Sequence, residues 1–270
     1  MSDECQPATL VCRIAGYDLA TLDLDAINRA FDAEVRAGRL RYTDASWNAD
    51  RANVGAWLNQ AGQNINHIHP CNACDSRGKT QVELAGRASF LRLFRFLRAQ
   101  PGLEALRVEY LAAECGVRES ATIVGKATVT TDDFTGGRLW DDAVCYTFYP
   151  IDLHNLSPEG VEIQLLEEGV VPTVPRRALL PAGSRNLLTA GRCIASDRLA
   201  NSALRVQATC MATGQVAGAL AALATQTGIE VEELPLPMVD ELLLAHGAII
   251  PERQATAGPA YGAMSPLSTV

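Results

Sequence analysis

The stretch Asn186-Leu-Leu-Thr-Ala-Gly-Arg-Cys-Ile194, continued by Arg205-Val206 and by Thr209-Cys-Met-Ala-Thr-Gly-Gln215, decides how this chain is read. Asn186 to Gly191 has the apolar run of a short buried strand ending in glycine, and beyond a polar loop a long helix is expected from about Leu204 to Gln226. Small residues line that helix (Ala208, Ala212, Gly214, Ala217, Gly218, Ala221 and Ala222), which would let a sheet approach closely. A strand that ends in glycine brings backbone near a ligand, and the N–H groups opening the next helix favour an anionic or electron-rich group. The unit suits a nucleotide cofactor. On spacing alone, an ordinary β-α connection with tight helix packing accounts for it equally well.

Upstream, Pro172 to Pro181 holds three prolines and two arginines and reads as a connector between packed units. Ala8 to Ile14 is a strand candidate, and after Gly16 a helix is expected with Asp25 as cap, Ile27, Phe31 and Val35 on one face and Gly38 at its end. Asn48 to Arg77 is polar and aperiodic, as in a long loop or irregular hairpin. Thr80-x-x-Glu83 has the spacing of a capping box, and Leu84, Ala88, Leu91, Phe94 and Leu97 continue it as a helix until Pro101. Leu106 to Ala113 and Ile123 to Thr130 favour strands, and Asp132-Asp133 a turn or short helix. Downstream, Pro237 to His246 reads as a helix closed by Gly247, and the tail after Pro251 as frayed. The fold class expected is α/β, mixed α+β in arrangement.

The whole composition agrees with a globular chain. Of 270 residues 48% are hydrophobic and 20% charged, which excludes disorder, collagen and coiled coil, and the length allows about two domains. A net charge of −8 lacks the basic excess that nucleic-acid binding needs. Eight irregularly placed cysteines suggest buried thiols in a reducing compartment, so a cytoplasmic location is expected. The first residues show no basic stretch followed by an apolar run, hence no legible signal peptide. Val206 to Ala224 is broken by Gln207, Thr209, Thr213 and Gln215 and reads as a buried helix rather than a membrane span of about 20 apolar residues.

Five motifs in order carry a resemblance: Gly116-Val-Arg-Glu-Ser120 with Ile123-Val-Gly125; Tyr149-Pro-Ile-Asp-Leu-His154; Arg177-Ala-Leu-Leu-Pro181; Asn186 to Ile194; and Arg205-Val with Thr209 to Gln215. From about Pro7 to Ala224 the chain resembles the FAD-dependent oxidoreductases, whose flavin fold is shared with fumarate reductases and glutathione-reductase-like enzymes. The resemblance implies FAD as cofactor and a small organic molecule as substrate. It also implies a substrate-binding domain over residues 1–178, the C-terminal part of a Rossmann-like FAD domain over 179–228, and a helix and tail over 229–270. One departure stands out. The strand, Gly-x-Gly-x-x-Gly turn and helix that hold the FAD pyrophosphate are absent from this sequence, where Gly136-Gly137 is an isolated pair. A truncated or mispredicted start, or a second chain supplying that half, would account for it.

By resemblance, Gly191 and Arg192 lie near the ribityl chain or pyrophosphate, and Arg205 and Val206 begin the helix aimed at the flavin ring, where a positive helix end stabilises negative charge on the reduced ring. A solvated or salt-bridged Arg205 is the plainer alternative. His154 follows a stiff X-Pro turn and a short strand, and its imidazole could exchange the proton that accompanies hydride transfer or be structural. Arg118 is expected either to pair with Glu119 or to bind a substrate carboxylate. Arg176 stands where the family commonly has an aromatic residue. His67-Ile-His69-Pro-Cys71-Asn-Ala-Cys74 crowds four metal-ligand types into eight residues; a zinc site, a redox CxxC and an ordinary polar loop are the readings, the last preferred. The rival to an oxidoreductase is a remnant or binding module that has lost FAD, and a metal-binding protein is the weaker alternative.

Overall fold

A computed structural model describes residues 5–253. The tail after Arg253 lies outside them. Among the described residues, seven strands and seven α-helices form a mixed α/β arrangement. The strands form one three-stranded sheet in the order β2-β1-β3 (β1 Cys12–Ala15, β2 Gly62–Gln63, β3 Arg107–Leu111) and two antiparallel pairs, β4-β7 (Ala143–Tyr146, Thr173–Pro175) and β5-β6 (Ile151–His154, Val161–Gln164). All named strand pairs are antiparallel; a parallel contact occurs as the isolated bridge Val129–Ser196.

The first sheet is packed by α1 (Leu24–Arg36), α2 (Val54–Asn59) and α3 (Ser76–Arg98) around Phe31, Trp57, Leu93 and Leu97. Helix α1 begins two residues earlier than Asp25 suggested, because the Asp23 carboxylate accepts the Ala26 N–H; Ile27 and Phe31 then bury at i, i+4 spacing, and Gly38 follows the helix end at φ 73°. Two readings are corrected here. The polar stretch 48–77 contains α2, capped by Asn53, and the short strand β2. The capping-box spacing at Thr80 lies inside α3, whose cap is Asp75 accepting the Gly78 N–H, while the Thr80 hydroxyl bonds back to the Ser76 carbonyl. Gly86 lets α3 lie hard against the segments that carry Ile68 and Cys115, since a Cβ there would come within 2.6 Å of Cys115 Sγ and 2.8 Å of Ile68 Cδ1.

The second hydrophobic cluster runs from Val129 to Leu243 and joins α4 (Thr131–Thr135), β4, β5, β7, α5 (Arg198–Leu204), α6 (Gln207–Thr227) and α7 (Leu236–Ala245). Pro172 to Pro181, read as a connector, is instead strand β7 and a 3-10 turn with Val174, Ala178 and Leu179 fully buried; its apolar residues outweigh its prolines. Ile123 to Thr130 does not form a strand but docks irregularly through the Gly125–Pro181 and Val129–Ser196 bridges.

The segment that decided the reading departs most. Asn186 to Ala190 is not a strand, and Asn186 and Leu187 are exposed, because a strand needs a hydrogen-bonding neighbour and this segment's backbone bond is Thr189 N–H to Leu179 O. The long helix expected from about Leu204 to Gln226 is α6, Gln207–Thr227, and the polar loop before it holds the short helix α5, with Arg205 as C-cap of α5 and Val206 as N-cap of α6. Helix α6 is long and apolar enough to cross a membrane by length and composition alone. Its buried face is Thr209, Thr213, Val216, Leu220 and Leu223, packed toward β4 and α7. The small residues Ala208, Gly214, Gly218, Ala221 and Ala222 face outward instead of meeting a sheet.

Candidate functional site

Strand β5 places Asp152 and His154 two residues apart, hence on one face. Around that face gather groups from distant parts of the chain. His154 Nδ1 lies 2.7 Å from His67 Nε2, its Nε2 lies 3.4 Å from Asp152 Oδ1, and Trp47 meets the ring edge to face at 5.6 Å between centroids. The His154 N–H donates to Gln6 Oε1 at 3.1 Å, and Arg205 Nη2 donates to the same oxygen at 3.2 Å and to the Asp152 carbonyl at 2.9 Å. Arg205 also lies 3.8 Å from the Asp152 carboxylate, and Arg118, buried, donates to the Pro7 carbonyl at 2.6 Å.

The electrostatics give this cluster a direction. Burial, with the charges of Arg118 and His154 added, holds the His67 imidazole down to about 3. Burial also lowers His154, with the Asp152 hydrogen bond opposing and Arg118 assisting. Burial would raise Asp152, but the His154 bond and the charges of Arg205 and Arg118 outweigh it and keep the carboxylate ionised below its usual range. Burial and the neighbouring Arg205 lower Arg118 to about 10, so both guanidiniums stay charged at neutral pH. An ionised Asp152 only accepts; His154 therefore carries its proton on Nε2, accepts at Nδ1, and takes the His67 Nε2–H. The chain of donors runs from His67 through His154 to Asp152.

The second set lies at the start of α6. Val206 caps the helix without a side-chain bond, so the first N–H groups, on exposed Gln207 and Ala208, keep their hydrogen-bonding capacity toward the outside. Gly191, at φ 74°, opens a 3-10 turn and donates its N–H to Thr213 Oγ1 at 3.0 Å, which holds that turn against α6. Arg192 donates to the Val117 carbonyl and its own carbonyl accepts from Asn201 Nδ2 at 3.1 Å. A cavity of about 410 Å³ opens here between Glu119, Ser120 and Thr122 on one side and Arg192, Ser196 and Asn201 on the other. Arg205, Val206 and His154 are not among its lining residues.

The sequence-derived candidates thus divide. Arg118, Arg205 and His154 converge in one buried polar cluster; Arg192 lines the cavity; Gly191 and Val206 frame the beginning of α6. The Arg118–Glu119 pair is corrected, since Glu119 binds Arg198 at 2.8 Å and the Gln6 N–H at 2.8 Å, while Arg118 turns inward. Arg176 donates to the Leu234 carbonyl at 2.6 Å. In the His67–Cys74 loop, His67 turns to His154, Cys71 is buried, Cys74 is exposed and Asp75 caps α3, so the four ligand types diverge; among the described residues no three His, Cys, Asp or Glu side chains could share a metal ion. Asp152, Gln6 and His67 were missed as members of the cluster. Asp152 was readable from its i, i+2 relation to His154, whereas nothing local marks Gln6.

A mixed α/β chain with a buried Arg-His-Asp cluster beside an uncapped helix N-terminus is the class defined so far. The model of the FAD dependent oxidoreductase family matches residues 1–243, and the chain belongs to that family. The curated proteins and the solved structures gave no match. The cofactor of the family is FAD, and the residues present fit one end of it. The outward-facing α6 N-terminus offers the positive pole an electron-rich ring edge requires, and the space beside Gly191 is nearly open, a Cβ there meeting only Cys210 at 3.6 Å or more. No Gly-x-Gly-x-x-Gly turn is present for the pyrophosphate.

Proposed function

We propose that this chain forms the substrate side and the ring end of a flavin site, in an enzyme that moves hydride between a small organic molecule and FAD. Bound FAD supplies the two-electron chemistry. The carrying observation is Arg205, which ends α5 directly before Val206, the N-cap of α6, and whose guanidinium reaches Asp152 and Gln6 in the histidine cluster. One residue ties the helix end to the proton-holding side chains. In this reading the α6 N–H groups and the Arg205 charge hold the pyrimidine edge of the ring, Gly191 and Arg192 lie along the ribityl chain, and Arg118 attracts an anionic substrate. His154 holds its proton at Nε2, toward Asp152, and the His67 Nε2–H donated to its Nδ1 fixes the ring in that tautomer. In this reading a second chain supplies the pyrophosphate half.

The test is co-expression with a Gly-x-Gly-x-x-Gly half. Yellow protein is expected, and Arg205→Ala should lose flavin on gel filtration or lower its reduction potential. Colourless complex after reconstitution with excess FAD would replace this reading with the remnant.

A further inference from the structure

The cavity beside Arg192 has two cysteines in its wall, Cys5 and Cys74. They come from segments far apart in sequence. Neither is paired, Cys5 is half-buried and Cys74 exposed, whereas the neighbouring Cys71 is buried and burial pushes its thiol up to about 11. Burial raises Cys5 as well, with the charges of Glu119 and Cys74 adding to it and that of Arg198 opposing. The chain brings them together by the bridge between Ala8 and Ile68, whose two hydrogen bonds of 3.1 and 2.8 Å hold the N-terminal segment against the loop that precedes Cys74.

We propose that Cys5 and Cys74 form a reversible disulfide across the mouth of this cavity. The oxidant is a small-molecule disulfide such as oxidised glutathione. The more exposed Cys74 thiolate attacks one sulfur of it, forming a mixed disulfide and expelling one thiolate; the Cys5 thiolate then attacks Cys74 Sγ and expels the second. Two protein thiols lose two electrons and two protons, and the small disulfide takes them up as two thiols. The consequence reaches the buried cluster. Cys5 is followed directly by Gln6, which accepts from His154 and Arg205, and by Pro7, which accepts from Arg118. Oxidation therefore clamps the strut on which the histidine cluster rests and narrows the cavity, while reduction frees both.

The full chain is incubated with oxidised glutathione, alkylated, digested without reductant and sequenced by tandem mass spectrometry. A cross-linked peptide joining Cys5 to Cys74 is expected, with loss of alkylation at both, reversal by dithiothreitol, persistence in Cys71→Ala and absence in Cys5→Ser and in Cys74→Ser. Each outcome is read on unmutated protein first, so a variant that fails to fold does not decide it. A Cys71–Cys74 bond, stable glutathione adducts without cross-link, or full alkylation of both cysteines would overturn the proposal. None of these readings requires flavin, so their failure is separate from failure of the flavin assignment.

Discussion

Asp152 is the residue on which the cluster depends, because its carboxylate faces two buried guanidiniums and an imidazole. Its replacement by asparagine keeps the shape and removes the charge. Arg205 and Arg118 then lose the carboxylate that stands between their charges, and the His154 Nε2–H loses an ionised acceptor. Removing one partner of a buried pair costs about 3–5 kcal/mol, and the partial exposure of Asp152 places Asp152→Asn near the lower end, about 3 kcal/mol. Urea denaturation should show a lowered midpoint at unchanged slope. A stability equal to wild type would mean that the arginines are solvated and the cluster is not a buried network.

At the level of elements, the caps and turns explain where the chain bends. Helix α3 begins at Asp75, whose side chain satisfies the Gly78 N–H at 2.7 Å, so Asp75→Ala should cost about 1 kcal/mol. Thr80 lies in the second turn with its hydroxyl on the Ser76 carbonyl, and Thr80→Ala should be neutral within about 0.5 kcal/mol. Thermal melts of the two variants distinguish the observed helix start from the one the capping-box spacing implied. The β5–β6 hairpin carries His154 and is held at its turn by Gly160, at φ 75°, where a Cβ would overlap the Trp47 carbonyl, and by Asn48 Nδ2 donating to the Pro158 and Glu159 carbonyls at 2.9 and 3.0 Å. Gly160→Ala should cost at least about 2 kcal/mol through the clash and the strained φ together. It should also loosen the Trp47 contact with His154, read as a change in tryptophan emission.

For the molecule as a whole, the buried cluster is a joint. Gln6, Pro7, Trp47 and His67 belong to the part built around the first sheet, and Asp152, His154 and Arg205 to the part built around α6. Both histidines are held below their ordinary value, so the unfolded chain takes up protons at a pH where the folded chain refuses them. Stability is complete at neutral pH and drains as the pH falls from about 6.5 toward about 3, by several kcal/mol if His67 alone follows its shift. Melting temperature should fall steadily over that interval, and His67→Gln, which keeps a donor but does not titrate, should flatten the fall. A flat profile between pH 7 and 5 in the unmutated chain would contradict a buried neutral histidine pair.

Local signals sufficed where the physics is local. The period of Ile27 and Phe31, the β-branched and alternating residues of Leu106 to Ala113 around β3, and Pro237 with Gly247 around α7 placed those elements, because capping, apolar spacing and backbone freedom act within a few residues. The ordered motifs carried the family, and with it FAD. Tertiary structure decided the rest. Asn186 to Ala190 has the composition of a strand and is not one, since a strand exists only beside a partner. Pro172 to Pro181 has the composition of a connector and is core, since burial of Val174, Ala178 and Leu179 outweighs the prolines. His67 was read with Cys71 and Cys74 and stands instead against His154, 87 residues away, because which side chains meet in a buried site depends on how distant segments pack and on the burial that sets their charge.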